Sequence, residues 1–299
     1  MSKALRLGIM GMSPGNGHPY SWSAIFNGYD ATAMETCGFP VIPRYLEQQR
    51  FPDDCIDNAR VTHVWTHDPD LSRQIAKAAC IDSVCDHPDD LIGQVDAVLL
   101  ARDDAETHLQ YATPFLKAGL PIYVDKPLAL SLDEAKALID LQTYPGQLFS
   151  CTALRYAPEL QLDAGQRARI GEIRCVAATV PKDWDKYAVH VIEPMLRLAP
   201  ERGRLRKHCR WQSADRIVVH TEFESGIECQ VSTYGALPVP ISFRVMGTTG
   251  YCDLQFSDTF RAFRAALQDF VDGTRARDVR TAPQEMLDVV EIIELGRSS

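Results

Sequence analysis

From residue 59 onward the chain alternates short β-branched runs with amphipathic stretches, and this alternation constrains its fold more than any other feature. ARVTHVWTHD (59–68) reads as a strand and PDLSRQIAKAAC as a helix opening on a proline. DAVLLAR (96–102) reads as a buried strand, DAETHLQYATPFLKAG as a helix closed by Gly119, and PIYVDK (121–126) as the next strand. Strand, helix, strand and helix at this spacing require parallel pairing through right-handed crossovers, which is a doubly wound α/β sheet. Residues 5–12 supply the first strand, so the loop after it stands where such sheets bind cofactors.

That loop, GIMGMSPGNGHPYSW (8–22), does not follow GxGxxG in either frame. Counting from Gly11, the second glycine position is Ser13; counting from Gly15, Gly17 fits and the last position is Tyr20. A dinucleotide here would rest on Gly11, Met12, Ser13 and the backbone amides near Gly15 and Gly17. The second strand arrives about fifty residues after Gly11, where about twenty separate the loop from the ribose-binding residue in a minimal fold. Residues 30–58 are therefore read as an insertion. A first helix running once down the sheet places that insertion at the end away from the cofactor, as a packing or subunit-contact element.

After Pro127 the pattern changes. SLDEAKALIDL (131–141) is an amphipathic helix with Ser131 and Glu134 in capping-box spacing, and QLFSCTALRY (147–156) reads as a sixth parallel strand. GEIRCVAATV, DRIVVHTEF, GIECQVSTYG, ISFRVMG and YCDLQF follow without intervening helices, which describes a large, mostly antiparallel sheet. Helices over 258–273 and 283–296 complete the pattern. The expected division is residues 1–128, a Rossmann-type dinucleotide-binding domain, and 129–299, an α+β domain for substrate binding and oligomerisation.

The chain has 299 residues and a formal net charge of −9, without the basic stripe that nucleic-acid binding needs. No apolar run is long enough to span a bilayer and no leader pattern is seen, so the expectation is a cytoplasmic protein without membrane or nucleic-acid partners. The nine cysteines form no CxxC pair and the eight histidines no HExxH pattern, so no metal is expected.

AVLLARDDAETHLQYATPFLKAGLPIYVDKPLALSLDEAKALIDL, with Asp125, Lys126 and Pro127 ending a strand, resembles the Gfo/Idh/MocA family of NAD(P)-dependent sugar and cyclitol oxidoreductases. The likeness continues through LRYAPEL, RIGEI and the His190 region to TFRAFRAALQDFVDG. It implies that Lys126 handles the substrate hydroxyl proton and also meets the cofactor. It implies that His190 in WDKYAVHVIEPMLRL is the catalytic histidine, and that Ala101, Arg102, His108 and His18 line the cofactor side. The family commonly places Asp four residues before that histidine; here the position is Lys186, and Asp185 or Glu193 would have to substitute. Lys186 beside Lys126 would favour a carboxylated or phosphorylated substrate.

At the end of strand two the family positions that select NAD or NADP resemble Thr66 and His67, which leans toward NADP; a turn capped by Asp68 explains the same residues. Arg155, Tyr156 and Tyr187 are the substrate-side candidates. Arg155 would clamp an anion or pair with Glu159 four residues on. Arg102, Asp103 and Asp104 are unusual in charge for their position and carry no role beyond lining the cleft. The expected function is hydride transfer between NAD or NADP and a secondary alcohol or ketone of a sugar, sugar acid or cyclitol, in a homo-oligomer, a dimer or tetramer built through the C-terminal sheet. The alternative is a nucleotide- or sugar-binding sensor of the same fold without turnover.

Overall fold

A computed structural model describes residues 3–297. It contains two compact units: residues 1–129, 133–151 and 263–283 form the first, and residues 130–132, 152–262 and 284–299 the second.

The first unit is built on six parallel strands: β1 (Leu5–Met10), β2 (Ala59–Trp65), β3 (Ser83–Val84), β4 (Ala97–Leu100), β5 (Ile122–Val124) and β6 (Leu148–Phe149). Their order is β3-β2-β1-β4-β5-β6, the doubly wound arrangement in which strand order reverses between β1 and β4. Every residue of β4 and β5 is buried, as befits strands covered on both faces by crossover helices. Those crossovers use α1 (His18–Asn27), α4 (Pro69–Ala78), α5 (His108–Lys117) and α6 (Leu132–Asp140). α4 starts where the sequence signals it: the Asp68 side chain accepts the Asp70 amide, Pro69 fills the first turn, and Ile75 and Ala78 are buried.

The insertion folds as α2 (Ala31–Glu35) and α3 (Val41–Leu46). It does not stay at the far end of the sheet. A Cβ on Gly17 would stand 2.6 Å from Ile42 Cδ1 and 2.9 Å from Phe39 Cγ, so the segment returns to the loop after β1. Its C-terminal part is fastened by Arg264, which donates to the Asp54 carbonyl at 2.8 Å and to that of Cys55 at 3.1 Å.

The second unit carries β7 (Ile173–Val180), β8 (Leu205–Ser213), β9 (Arg216–Phe223), β10 (Glu228–Thr233), β11 (Ser242–Gly247) and β12 (Tyr251–Gln255), in the order β12-β11-β7-β10-β9-β8. All pairs are antiparallel except β7 with β10. α7 (Ala164–Ile170) precedes β7, and α8 (Trp184–Tyr187) and α9 (Val189–Leu198) follow it; α9 buries Val189, Val191, Ile192 and Met195. α10 (Thr259–Ala276) and α11 (Pro283–Arg297) complete the chain, and Trp184 Nε1 donates to the Ile293 carbonyl of α11 at 2.8 Å.

Two expectations need correction. The sixth parallel strand is only two residues long, because Thr152 accepts the Leu154 amide on its side chain and turns residues 153–156 into a 3₁₀ helix. β8 carries no strand signal in the sequence, because LRKHCRWQS is an exposed edge strand with no apolar alternation.

Candidate active site

In the first unit the reversal of strand order opens a crevice beyond the C-terminal ends of β1 and β4, where a doubly wound sheet binds its ligand. The β1 loop is drawn tight there. Ala101 donates its amide to Met10 O at 2.7 Å, Gly11 donates to Trp65 O at 3.1 Å, and a side chain on Gly11 would run into Pro19. Gly15 has φ +83° and open space beside it, a place for close backbone approach. The ten-residue α1 begins immediately after Gly17, with Pro19 in its first turn, so amides and helix dipole face the loop. These residues fit a dinucleotide phosphate.

Ser13, expected beside the pyrophosphate, lies at the end of β4. Its hydroxyl donates to Asp103 Oδ1 at 2.6 Å and accepts the Asp103 amide at 3.1 Å, a clip across the crevice between the ends of β1 and β4. Asp103 Oδ2 lies 3.6 Å from Lys126 Nζ, and both side chains are less than a tenth exposed. Lys126 follows β5 and donates its amide to Asp125 Oδ1 at 2.7 Å. Asp125 Oδ2 meets His18 Nδ1 at 2.6 Å and accepts from Asn16 Nδ2 at 2.9 Å. Burial pushes the Asp125 carboxyl upward, but the His18 ring, the Lys126 charge and their hydrogen bonds outweigh it and bring it down to about 2. His18 stacks on Trp22 with ring centroids 4.8 Å apart.

Arg102 reaches over the loop. Its guanidinium pairs with Asp104, donates to Met12 O at 3.3 Å and to His67 Nδ1 at 3.2 Å, and lies 5.0 Å from the Tyr111 ring centroid. His67 also bonds Tyr111 OH through Nε2. Burial, then the Arg102 charge, lowers its pKa, so the argument for a 2′-phosphate loses its cation at His67. Thr66 is buried, its hydroxyl shared between Asp68 O and Ser72 Oγ, and Asp68 is the cap of α4. The turn-and-cap account therefore describes these residues. His108 is fully buried and both ring nitrogens lie at carbonyl oxygens, Arg102 O at 2.8 Å and Leu128 O at 3.0 Å. It braces the end of β4 against the segment that follows Lys126.

In the second unit, His190 near the start of α9 bonds Thr152 Oγ1 through Nδ1 at 2.7 Å, and Tyr187 lies edge-on to its ring at 5.4 Å. The two carboxylates considered as substitutes for the family Asp have other partners: Asp185 pairs with Arg297, and Glu193 with Arg155. Lys186 lies in the last turn of α8, its amide donated to Asp183 Oδ1. Arg155 pairs with Glu193 and Glu285. It is buried, donates to Glu193 Oε1 at 2.8 Å and Glu285 Oε2 at 3.3 Å, and lies over the Tyr156 ring. Glu159 instead caps the Ser257 and Asp258 amides, because its 3₁₀ turn points it toward the start of α10. Burial raises the Glu193 pKa against the opposing pull of Arg155 and the Thr152 amide.

Among the described residues no group of His, Cys, Asp and Glu is arranged to hold a metal, and no helix is long and apolar enough to cross a membrane.

Residues 42–152 match the model of an oxidoreductase family with an NAD-binding Rossmann fold, Gfo/Idh/MocA. No curated protein sequence matches the chain. Among solved structures, a probable dehydrogenase from Thermotoga maritima is 14% identical with a TM-score of 0.76, over 98% of this chain and 96% of that one. A UDP-N-acetylglucosamine 3-dehydrogenase from Acidithiobacillus ferrooxidans is 15% identical with a TM-score of 0.73, over 99% and 97%. A scyllo-inositol dehydrogenase from Lactobacillus casei, solved with NAD(H) and scyllo-inositol, is 14% identical with a TM-score of 0.70, over 97% and 95%. At these identities the structures show that the fold is shared, and the match over residues 42–152, a segment that includes Lys126, is a likeness of that part of the chain to the Gfo/Idh/MocA oxidoreductase family.

Proposed function

We propose that the protein transfers hydride between a nicotinamide dinucleotide and a secondary alcohol or ketone of a sugar, sugar acid or cyclitol. The observation that carries this reading is a lysine, Lys126, buried beside a carboxylate at the C-terminal edge of a doubly wound sheet. The cofactor, when bound, supplies the hydride acceptor or donor. Lys126 takes the hydroxyl proton in oxidation and returns it in reduction. Gly11, Gly15 and the amides at the start of α1 hold the pyrophosphate, and Arg102 with Met12 forms the adjoining wall. His190, ordered by Thr152 and Tyr187, is the proposed second proton-handling group, and Lys186, Tyr156 and Tyr187 the substrate contacts. Arg155 is assigned to holding Glu193 rather than to clamping an anion. Self-association through the second sheet is part of this reading, with Trp211 and Tyr251 exposed on its strands.

NADH and NADPH titrations followed by turnover of a sugar, sugar-acid and cyclitol library test the reading. Nicotinamide absorbance should change with at least one substrate, and Lys126→Ala should lower that rate by about 10² to 10⁴. Tight dinucleotide binding without turnover across the library would favour the sensor, and a Lys126→Ala rate within tenfold of the parent would remove the lysine from the proton step.

A further inference from the structure

The turn between β7 and α8 holds Lys182 at φ +67°, left-handed backbone that a lysine rarely adopts. Two hydrogen bonds fix that turn: Lys182 donates its amide to Gly235 O at 2.7 Å and accepts the Gly235 amide at 3.0 Å. Gly235 is left-handed as well, at φ +56°, and a Cβ there would collide with Asp215. Strained positions persist where the surrounding structure over-determines them, and they cluster at ligand clamps.

The side chain that this turn presents is a cation without an acid. The Lys182 ammonium lies 4.1 Å from the Tyr187 ring centroid and donates to the Tyr187 hydroxyl. Among the described residues no carboxylate pairs with it. The neighbouring acids have other partners: Asp183 Oδ1 takes the Lys186 amide at 2.9 Å, Asp185 pairs with Arg297 at 3.2 Å, and Asp215 Oδ2 takes the Ala236 amide at 3.4 Å. By contrast, Arg155 over the Tyr156 ring is paired with Glu193 at 2.8 Å, and Arg244 over the Tyr251 ring with Asp253 at 2.7 Å. Tyr187 in turn stands edge-on to the His190 ring at 5.4 Å, so the uncompensated charge is one side chain away from that histidine.

We propose that Lys182 is a specificity-determining residue, an ammonium held on Tyr187 to receive the carboxylate or phosphate of an anionic sugar. The substrate class thereby narrows to sugar acids and sugar phosphates. This rests on the substrate side given to Tyr187 and His190 above. The ring face and hydroxyl of Tyr187 hold the charge in place without neutralising it, and an ammonium has three N–H donors, of which the hydroxyl takes one. An arriving anion replaces water at the others. No covalent bond forms or breaks at Lys182.

The test measures binding, not turnover. Ligand-observed NMR titration of the full chain, with NADH absent and then present, compares glucuronate and glucose 6-phosphate with neutral glucose for the parent, Lys182→Gln and Lys182→Arg. In the parent at least one anion should bind about tenfold or more tighter than glucose, the effect of one charge-assisted hydrogen bond. Glucuronate leads if the group received is a carboxylate, and glucose 6-phosphate if it is a phosphate. Lys182→Gln should bring the ratio below about threefold with glucose binding unchanged, and Lys182→Arg should keep most of it. A parent that binds the three sugars alike, or neither anion at about 10 mM in either condition, overturns the proposal. So does a Lys182→Gln protein that keeps the ratio, or one that weakens all three sugars together, as a lysine that only shapes the turn would. Should the glutamine variant fail to fold, Lys182→Asn removes the same charge with a side chain that tolerates left-handed backbone and is read by the same criterion. Anion preference without oxidoreductase activity would sink the enzymatic reading and keep the site; turnover of a neutral sugar without the preference would do the reverse.

Discussion

Replacing Asp125 by Asn keeps the side chain's size and one acceptor oxygen while removing its charge. In the parent the carboxylate is 1% exposed, touches His18 at 2.6 Å and Asn16 at 2.9 Å, and takes the Lys126 amide at 2.7 Å. Its pKa is brought from 3.8 to about 2, with the penalty of burial outweighed by His18 and Lys126. A folded pKa below the unfolded one means the stabilisation is complete above about pH 4 and is lost as pH falls through about 2. At about 1.4 kcal/mol per unit, this amounts to about 2 kcal/mol at pH 7 and roughly half of that at pH 3. The expected cost of Asp125→Asn is therefore a fall in melting temperature of about 4–8 °C at pH 7, narrowing toward pH 3. Calorimetry or near-ultraviolet dichroism across pH 3 to 8 measures it. A variant within about 0.5 kcal/mol of the parent at pH 7, or a gap that stays constant between pH 5 and pH 3, refutes the claim that this charge ties the β1 loop to β5.

Arg155→Met should cost about 3–5 kcal/mol, because Glu193 would stay buried with its charge uncompensated. The loss should be smaller at pH 5 than at pH 8, since the carboxyl can then take up a proton; urea unfolding at the two pH values reads the difference, and an equal loss at both argues against this origin. Gly17→Ala should cost about 1–3 kcal/mol through the overlap with Ile42 and Phe39, and adding Phe39→Ala should return part of it. If Gly17→Ala melts with the parent, the insertion does not pack on the loop.

Much of the first unit is legible in the sequence. Local signals are enough for β1, β2, β4 and β5: continuous apolar runs for strands buried on both faces, a proline and Asp68 opening α4, and Gly119 after α5. They fail at β3 and β6, each two residues long, and at β8, where an exposed edge strand carries no periodic apolar face. They also misplace the insertion, since nothing in residues 30–58 signals that Phe39 and Ile42 return to Gly17.

The sequence alone determined a parallel doubly wound sheet with Lys126 at the end of one strand, because periodicity, caps and turn residues act over a few neighbours. The tertiary structure decided which charge meets which. Ser13 lies 90 residues from Asp103, His18 107 from Asp125 and Arg155 38 from Glu193, separations over which sequence carries no distance information. Only the placement of β4 between β1 and β5 brings Ser13, Asp103, Asp125 and Lys126 to one sheet edge, and burial there strengthens each pairing. The loop after β1, poor in the expected glycines, thus carries a serine whose hydroxyl meets the acid beside Lys126, a contact that only the tertiary structure reveals.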